Sequence, residues 1–405
     1  MKQIAIQYLE GCPELAARPI DAVRQRLRIA GERLPISNIL IGWHLPHHLL
    51  EACHQETAKL GAKFYRWHPL LTGDGTFYPS PEWRVIGLNG EPIAGFQDMP
   101  EFTFVCPNRP AAAEAVLRRV DEIISSGDYD GVFLDRIHFP SPASNPAAAL
   151  GCFCKSCQQA ATQKDLDLAE IRTTLQEWVK KPSGRCDLVR ILLKPPEIQP
   201  DTHQAQALQT FIKFRSESIT AFVSKVVDQF HANGLLVGLD CFSPMLAPMV
   251  GQDLSALGKP VDWVKLMSYA HTLGPAGLPF ELLELAEWLT AQADLNTIEA
   301  MQFLINAVNL PLPNDPTTLR RKGLSSQALQ LEVKRGLDQI DTPVLFGVEL
   351  VEIEGVAELD SLQIREDLSA VLALQPAGLA LSWDLWDMPL ERLDLVREIW
   401  FMSGN

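Results

Sequence analysis

With 405 residues, 47% of them apolar and 21% charged, the chain has the composition of an ordinary soluble globular protein with ample length for a large core. Thirty-five basic against fifty acidic residues leave a net charge of −15 and no basic run, which argues against nucleic acid or an anionic membrane as the main partner. Met1–Tyr8 lacks the apolar core and cleavage site of a signal peptide, and no run approaches the roughly 18 apolar residues of a spanning helix, so the expected location is cytoplasmic.

Strand-like and helix-like runs alternate from one end to the other. Ile4 to Leu9 reads as a strand and Ala22 to Leu34 as a helix. Asn38 to His44 reads as a second strand. The next helix carries Leu49, Leu50, Cys53, Thr57 and Leu60 at helical spacing and stops at Gly61. Lys63 to Trp67 is a third strand. A polar and aromatic excursion over 72–100 precedes a short run, Phe102 to Cys106, and a helix opened by Pro110.

Residues 131–139 form the next strand, followed by a long insertion over 141–202. An amphipathic helix then lines up Leu208, Phe211, Ile212, Ile219, Phe222, Val223, Val226 and Phe230, and closes at Asn233-Gly234. Leu235 to Cys241, Trp263 to Tyr269, Val344 to Leu350 and Gly378 to Trp383 read as further strands. Helices are expected at 280–292, 326–340, 362–374 and 390–401.

Eight or nine short strands, most followed by a helix, imply a parallel sheet covered by helices, either closed as a barrel or open and doubly wound. The glycine-rich dinucleotide fingerprint is absent after the first strand. The expected architecture is therefore α/β: one (β/α)8 TIM barrel over residues 1–405, with a lid-like insertion after strand four at 141–202 that carries a cysteine cluster.

Barrel enzymes gather their chemistry at the C-terminal ends of the strands. Unusual residues fall there: Trp43-His44, Trp67-His68, Asp135-Arg136-Ile137-His138, Asp240, Tyr269 with His271, Glu349, and Trp383-Asp384. The strand Gly131–Phe139 is the most telling, because a carboxylate beside an arginine in an apolar run is costly unless it is used. Carboxylates with aromatics and no phosphate-gripping loop suit a carbohydrate, whose ring faces stack on indoles. Glycosidic cleavage needs two carboxyl groups, one protonated and one ionised. Strands four and seven face each other across a barrel, so Asp135 and Glu349 are the expected catalytic pair. Asp135 is read as nucleophile or base and Glu349 as acid, with the reverse assignment open. Trp43, His44, Trp67, His68, Arg136, His138, Asp240, Tyr269, His271, Trp383 and Asp384 are the expected substrate-binding set, and no cofactor is required for catalysis.

Asp130-Gly131-Val132-Phe133-Leu134-Asp135-Arg136-Ile137-His138-Phe139-Pro140-Ser141-Pro142, followed by the run Cys152 to Cys157, resembles a group of bacterial barrel proteins described as hypothetical glycoside hydrolases. Phe214-Arg215, Gly251-Gln252-Asp253, Asp262 to Tyr269, Gly347 to Leu350 and Leu381 to Asp384 carry the same resemblance, which covers most of the chain after about residue 100. It implies a TIM-like barrel of the glycosidase superfamily. In amylase-type and alpha-galactosidase-type relatives the strand-four aspartate is the nucleophile. In cellulase-type relatives a strand-four glutamate is the acid and a strand-seven glutamate the nucleophile. Aspartate on strand four with glutamate on strand seven departs from both patterns.

Each candidate also has a plainer role. Asp135 could serve only as a partner of an arginine, and Asp240 and Asp384 as hydrogen-bond acceptors. Tyr269 and His271 could bind substrate, orient a carboxylate or simply pack. The tryptophans, Trp386 included, could be core. His44 and His68 leave open a metal-dependent hydrolase at the barrel mouth, and loss of the acid pair would leave a carbohydrate-binding barrel without catalysis.

Five of the eight cysteines are scattered, at 12, 53, 106, 186 and 241. Cys152, Cys154 and Cys157 lie within six residues and could hold a structural zinc with Cys186, Cys106 or His203 as fourth ligand. The spacing lacks a companion C-x2-C, so packed thiols or a disulfide stay open.

Overall fold

The computed structural model describes residues 2–194 and 202–403. Eight strands run β1 Gln3–Tyr8, β2 Asn38–Ile41, β3 Lys63–Pro69, β4 Gly131–Asp135, β5 Leu236–Phe242, β6 Trp263–Met267, β7 Val344–Glu349 and β8 Gly378–Ser382. Each pairs in parallel with the next, and β8 pairs with β1 to close a barrel. The expected (β/α)8 class is the observed one.

Helices α1 Ile20–Arg33, α2 His47–Leu60 and α3 Pro110–Ser126 connect the first four strands. Between β4 and β5 come α4 Pro146–Ala149, α5 Lys155–Thr162, α6 Leu168–Trp178, α7 Pro182–Leu193 and the long α8 His203–Ala232. The short α9 Leu254–Gly258 leads to β6. Then α10 Leu278–Gln292, α11 Thr297–Val308, α12 Pro316–Lys322 and α13 Ser326–Gln339 lead to β7, α14 Ser361–Leu372 to β8, and α15 Leu390–Met402 follows. The stripe anticipated on α8 is buried from Leu208 to Phe230, and Gly61 closes α2 at φ 66°. Within the expected 141–202 insertion, residues 195–201 lie outside the described residues.

Two layers of side chains fill the barrel, set by the two-residue period of a strand. The lower one is apolar: Ala5, Tyr65, Phe133, Trp263, Leu345 and Ala380 belong to one buried cluster, with Phe133 and Trp263 stacked 5.1 Å apart. One side-chain step further along, the same inward parity brings in Gln7 on β1, Asp135 on β4, Lys265 on β6 and Ser382 on β8, with Asp240 on β5. The fold thus ends its apolar interior in a layer of polar groups at the C-terminal mouth.

Closure between β1 and β8 depends on close backbone approach. A Cβ on Gly378 would lie 2.0 Å from the Gln3 carbonyl oxygen, and a main-chain oxygen in a closed sheet has little room to yield. Gly378→Ala is expected to destabilise the fold by about 1–3 kcal/mol, measured as a lower denaturation midpoint at unchanged slope; an unchanged midpoint would contradict the close approach.

Several expected boundaries move. Phe102–Cys106 is not a strand of the barrel: Pro100–Phe102 is a 3-10 turn, and Phe104 and Val105 make isolated antiparallel bridges with Thr72 and Arg84. β3 pairs directly with β4, so no edge is free for a ninth strand. β4 stops at Asp135 instead of running to 139, because Arg136 turns left-handed at φ 51°. β2 stops at Ile41 ahead of His44, at φ 57°. Helices α11 and α12 were not expected, although Asn296 and Glu299 form a capping box at the start of α11.

Candidate functional site

A cleft of about 520 Å³ opens at the C-terminal mouth of the barrel. Asp135, Arg136, His138, Trp67, Asp240, Tyr269 and Trp383 line it, so strand ends three, four, five, six and eight converge as their positions imply. Two more open depressions of about 600 and 650 Å³, one lined by Lys180 and Gln292 and the other by Asn306 and Asp338, contain none of the strand-end candidates.

Asp135 is nearly buried, at 9% exposure. Trp67 Nε1 donates to its Oδ2 at 3.0 Å, and the Arg136 backbone N–H donates to its Oδ1. The left-handed turn at Arg136 places that N–H beside the carboxylate and sends the guanidinium along the cleft wall. There Arg136 donates to the Glu101 carbonyl at 3.0 Å, stacks over Phe102 at 4.4 Å, and faces Glu10 Oε1 at 3.5 Å.

Asp240 is buried at 2% exposure, with Oδ2 accepting from Lys265 Nζ at 2.9 Å. Its Oδ1 has no hydrogen-bond partner among the described residues. Burial pushes the Asp240 carboxyl up to about 7; the Lys265 ammonium opposes that rise, and the neighbouring Asp135 charge adds to it. Lys265 is itself fully buried and donates also to Gln7 Oε1 at 2.7 Å. Burial pulls its ammonium down, but Asp240 and Tyr269 outweigh this and hold it charged. Ser382 Oγ donates to the same Gln7 oxygen at 2.8 Å, so one chain of contacts crosses the barrel from β8 to β5.

His138 sits between Phe104 and Phe242, with Nδ1 2.7 Å from the Phe139 carbonyl. Burial drives its imidazole down to about 4, so the ring is neutral at physiological pH. Tyr269 is 2% exposed and stands edge-on to Trp383 at 6.1 Å.

The other expected residues lie apart from the cleft. Glu349 is not among its lining residues. The Thr272 hydroxyl and the His271 backbone N–H donate to its carboxylate, and burial pushes it up against the pull of His271 and Thr272. His271 spans from the Lys322 carbonyl at 2.9 Å to Asp367 at 2.7 Å, tying the loop after β6 to α12 and α14. Asp384 accepts backbone N–H groups of Leu9, Glu10 and Trp386, each at 2.9 Å, and so fixes the loop that presents Glu10. Trp43 is buried at 2% in the barrel interior, edge-on to Trp67 at 5.4 Å. Trp386 lies under the Arg18 guanidinium at 4.4 Å. His68 is sealed in the core, where burial holds it well below the usual imidazole range. His44 pairs with Asp74 at 3.1 Å and Thr76 at 2.8 Å.

Three cleft groups carry no expectation from sequence, Gln7, Glu10 and Glu281, and neither does Lys265, buried just beneath the cleft. Glu281 on α10 is 1% exposed, accepts from Ser141 Oγ at 2.6 Å and from the Ala276 N–H at 3.1 Å, and is pushed by burial up to about 7. A helix glutamate in a run of leucines carries no sequence signal for such a place. Lys265 did: it interrupts Trp263-Val264-Lys265-Leu266-Met267 as Asp135 interrupts its own strand.

Among the described residues, the ligand-type side chains that cluster tightly enough for a metal are Cys106, Cys152, Cys154 and Cys157, with all four sulfurs within 4.8 Å of one another. His44 and His68 join no such cluster. Cys106 is thus the fourth member of the group anticipated from Cys152, Cys154 and Cys157.

No family model matches the chain, and no curated protein matches it. Its fold is similar to that of the glycoside hydrolase domain of PgaB (BpsB) from Bordetella bronchiseptica, at 13% identity and a TM-score of 0.54, over 100% of this chain and 98% of that one. It is also similar to alpha-L-fucosidase isoenzyme 2 from Paenibacillus thiaminolyticus, at 12% identity and a TM-score of 0.53. That alignment takes in 100% of this chain, which spans about half (49%) of the fucosidase chain. The likeness establishes the fold: a closed eight-stranded parallel barrel whose structural neighbours are glycoside hydrolases.

Proposed function

We propose that the protein is a glycoside hydrolase acting at the strand-end cleft, with a carbohydrate as substrate and no cofactor in the reaction. The observation that carries this reading is the meeting of Asp135 and Asp240 at one cleft, where burial pushes the Asp240 carboxyl up to about 7. Glycosidic cleavage requires two carboxyl groups, one of which must carry a proton. Both structural neighbours bear the names of glycosidases.

In this mechanism the Asp240 carboxyl, which lines the cleft floor, delivers its proton to the glycosidic oxygen. As the proton leaves, the carboxylate that forms is stabilised by Lys265 at 2.9 Å. Asp135, held by Trp67 and the Arg136 N–H, faces the anomeric carbon as nucleophile or as base for water. Trp383, Tyr269 and Phe102 supply ring surfaces for the sugar. Glu349 acts at a distance by fixing the loop after β6. The chain is one barrel over 1–405, and the 141–202 segment shapes one wall, since Ser141, Ala143 and Ala149 line the cleft.

The test is a panel of aryl α- and β-glycosides, fucosides among them, with the configuration of the product followed by NMR. Turnover of at least one sugar supports the reading. Binding without turnover across the panel would instead favour a carbohydrate-binding barrel, and turnover that depends on added divalent metal would favour a metal-dependent hydrolase.

Activity should fall on the basic side of a pH near 7, because Asp240 must carry a proton to act as acid. The same shift sets a stability slope. A carboxyl whose folded pKa lies above its unfolded value of about 3.9 binds more protons when folded, so its contribution is complete at low pH and is lost as pH rises toward 7. Asp240→Asn should flatten the fall in unfolding free energy between about pH 4 and 7. An unchanged slope in chemical denaturation would contradict the raised carboxyl.

A further inference from the structure

We propose that Cys106, Cys152, Cys154 and Cys157 form a tetrathiolate site for one structural zinc ion that locks a wall of the cleft. The four sulfurs are buried, at 3% exposure or less, and converge within 4.8 Å of one another. Cys106 Sγ lies 3.3 Å from Cys157 Sγ and 3.7 Å from Cys154 Sγ. Four sulfurs at about 2.3 Å around a tetrahedral zinc would stand roughly 3.8 Å apart, which is the scale of this cluster. Disulfide sulfurs lie at about 2.0 Å, and none of the eight cysteines is paired.

The surroundings are those of sulfur carrying negative charge. The Ile86 backbone N–H points at Cys152 Sγ, the Cys157 N–H at Cys154 Sγ, and Asn108 Nδ2 at Cys157 Sγ, each at 3.4 Å. Such donors do little for neutral thiols and stabilise thiolates. A second observation comes from Arg215 on α8, whose side chain is fully buried and whose hydrogen bonds among the described residues go to main-chain carbonyls and to no carboxylate. It donates to the Gly151 carbonyl, immediately before Cys152, and to the Met249 carbonyl at 2.9 Å, while Nη2 has no partner among the described residues. A buried cation needs compensating charge. Zinc displaces one proton from each of the four thiols, and the resulting centre carries a net charge of −2, which supplies that compensation beside Arg215.

Sequence separation gives the site its purpose. Cys106 lies beyond the 72–100 excursion and precedes Cys157 by 51 residues, while Cys152 and Cys154 lead into α5 and Cys157 stands in its first turn. Phe104 and Ala149, a few residues from these ligands, both line the cleft. One ion would fasten these two segments, already bridged at Gly87 and Gly151, more firmly to each other at the edge of the site.

The full-length chain, purified under reducing conditions, should contain one zinc per molecule by mass spectrometry. Titration with a mercurial reagent should release that zinc as four thiols react. Replacing zinc by cobalt should produce the sulfur-to-metal charge transfer and intense visible bands of a tetrahedral thiolate site, a readout that needs no folded variant. Cys106→Ser and Cys157→Ser should lose most of the bound metal. Stripping zinc from the wild type should speed proteolysis within 93–106 and 140–157, and zinc should restore resistance. Iron in place of zinc, absence of stoichiometric metal after reconstitution, or intact mass showing disulfides among the four cysteines would overturn the proposal.

Discussion

Asp135→Asn is expected to cut glycoside turnover by about a thousandfold while leaving KM nearly unchanged. The two oxygens of Asp135 are held by Trp67 Nε1 and the Arg136 N–H. Asparagine keeps the shape and one acceptor but turns an NH2 toward a donor and removes the charge that the anomeric carbon must meet. The loss therefore belongs in the chemical step, which is why kcat should fall and KM hold. A drop confined to KM, or turnover within a few fold of wild type, would reduce Asp135 to a structural acceptor.

Lys265→Met carries the largest expected effect on stability. Lys265 is fully buried among Asp240, Gln7 and Tyr269, with contacts of 2.9 Å and 2.7 Å to the first two. Removing one partner of a buried ion pair leaves the other desolvated, at a typical cost of about 3–5 kcal/mol. Asp240 partly offsets this by taking a proton, since its carboxyl already sits near 7 and rises further without the ammonium. Two measurements follow from that coupling. Unfolding free energy should fall, by less at acidic than at neutral pH, and the basic limb of the pH–rate profile should move upward in whatever activity survives. A stability loss independent of pH would mean that Asp240 does not titrate against Lys265.

The barrel and the strand ends were legible because the relevant signals are local. Parallel strands buried on both faces leave short apolar runs, and Asp135 and Asp240 stand out as charges at the ends of two of them. Lys265 carries the same signal in the middle of its strand, one side-chain step below the strand ends where barrel chemistry gathers. The inward row one step below the rim belongs to the site as well. Other placements depended on contacts far apart in sequence. Glu349 has the expected strand, but Thr272 and His271 claim its carboxylate, and no property of Phe346–Leu350 announces that. Trp43 and Trp67 look alike from sequence, yet one fills the barrel while the other holds Asp135. Glu10 is presented by hydrogen bonds from its loop to Asp384 on the far side of the barrel closure, and Cys106 joins a cluster 51 residues downstream. The expected run Phe102–Cys106 failed for the same reason, since only the closed β3–β4 pairing excludes a ninth strand.

The most direct test of the central claim, that Asp240 is the proton donor beside Asp135, is a leaving-group series with Asp240→Asn and Glu349→Gln. A glycoside whose aglycone leaves readily needs no protonation, whereas an unactivated alkyl or sugar aglycone does. The account predicts that Asp240→Asn loses about 10²–10⁴-fold on the unactivated substrate and only a few fold on the activated one, with a flattened basic limb in its pH profile. Glu349→Gln should show no such dependence on leaving group. The opposite pattern, with the selective loss in Glu349→Gln and none in Asp240→Asn, would contradict the account and move the acid to β7.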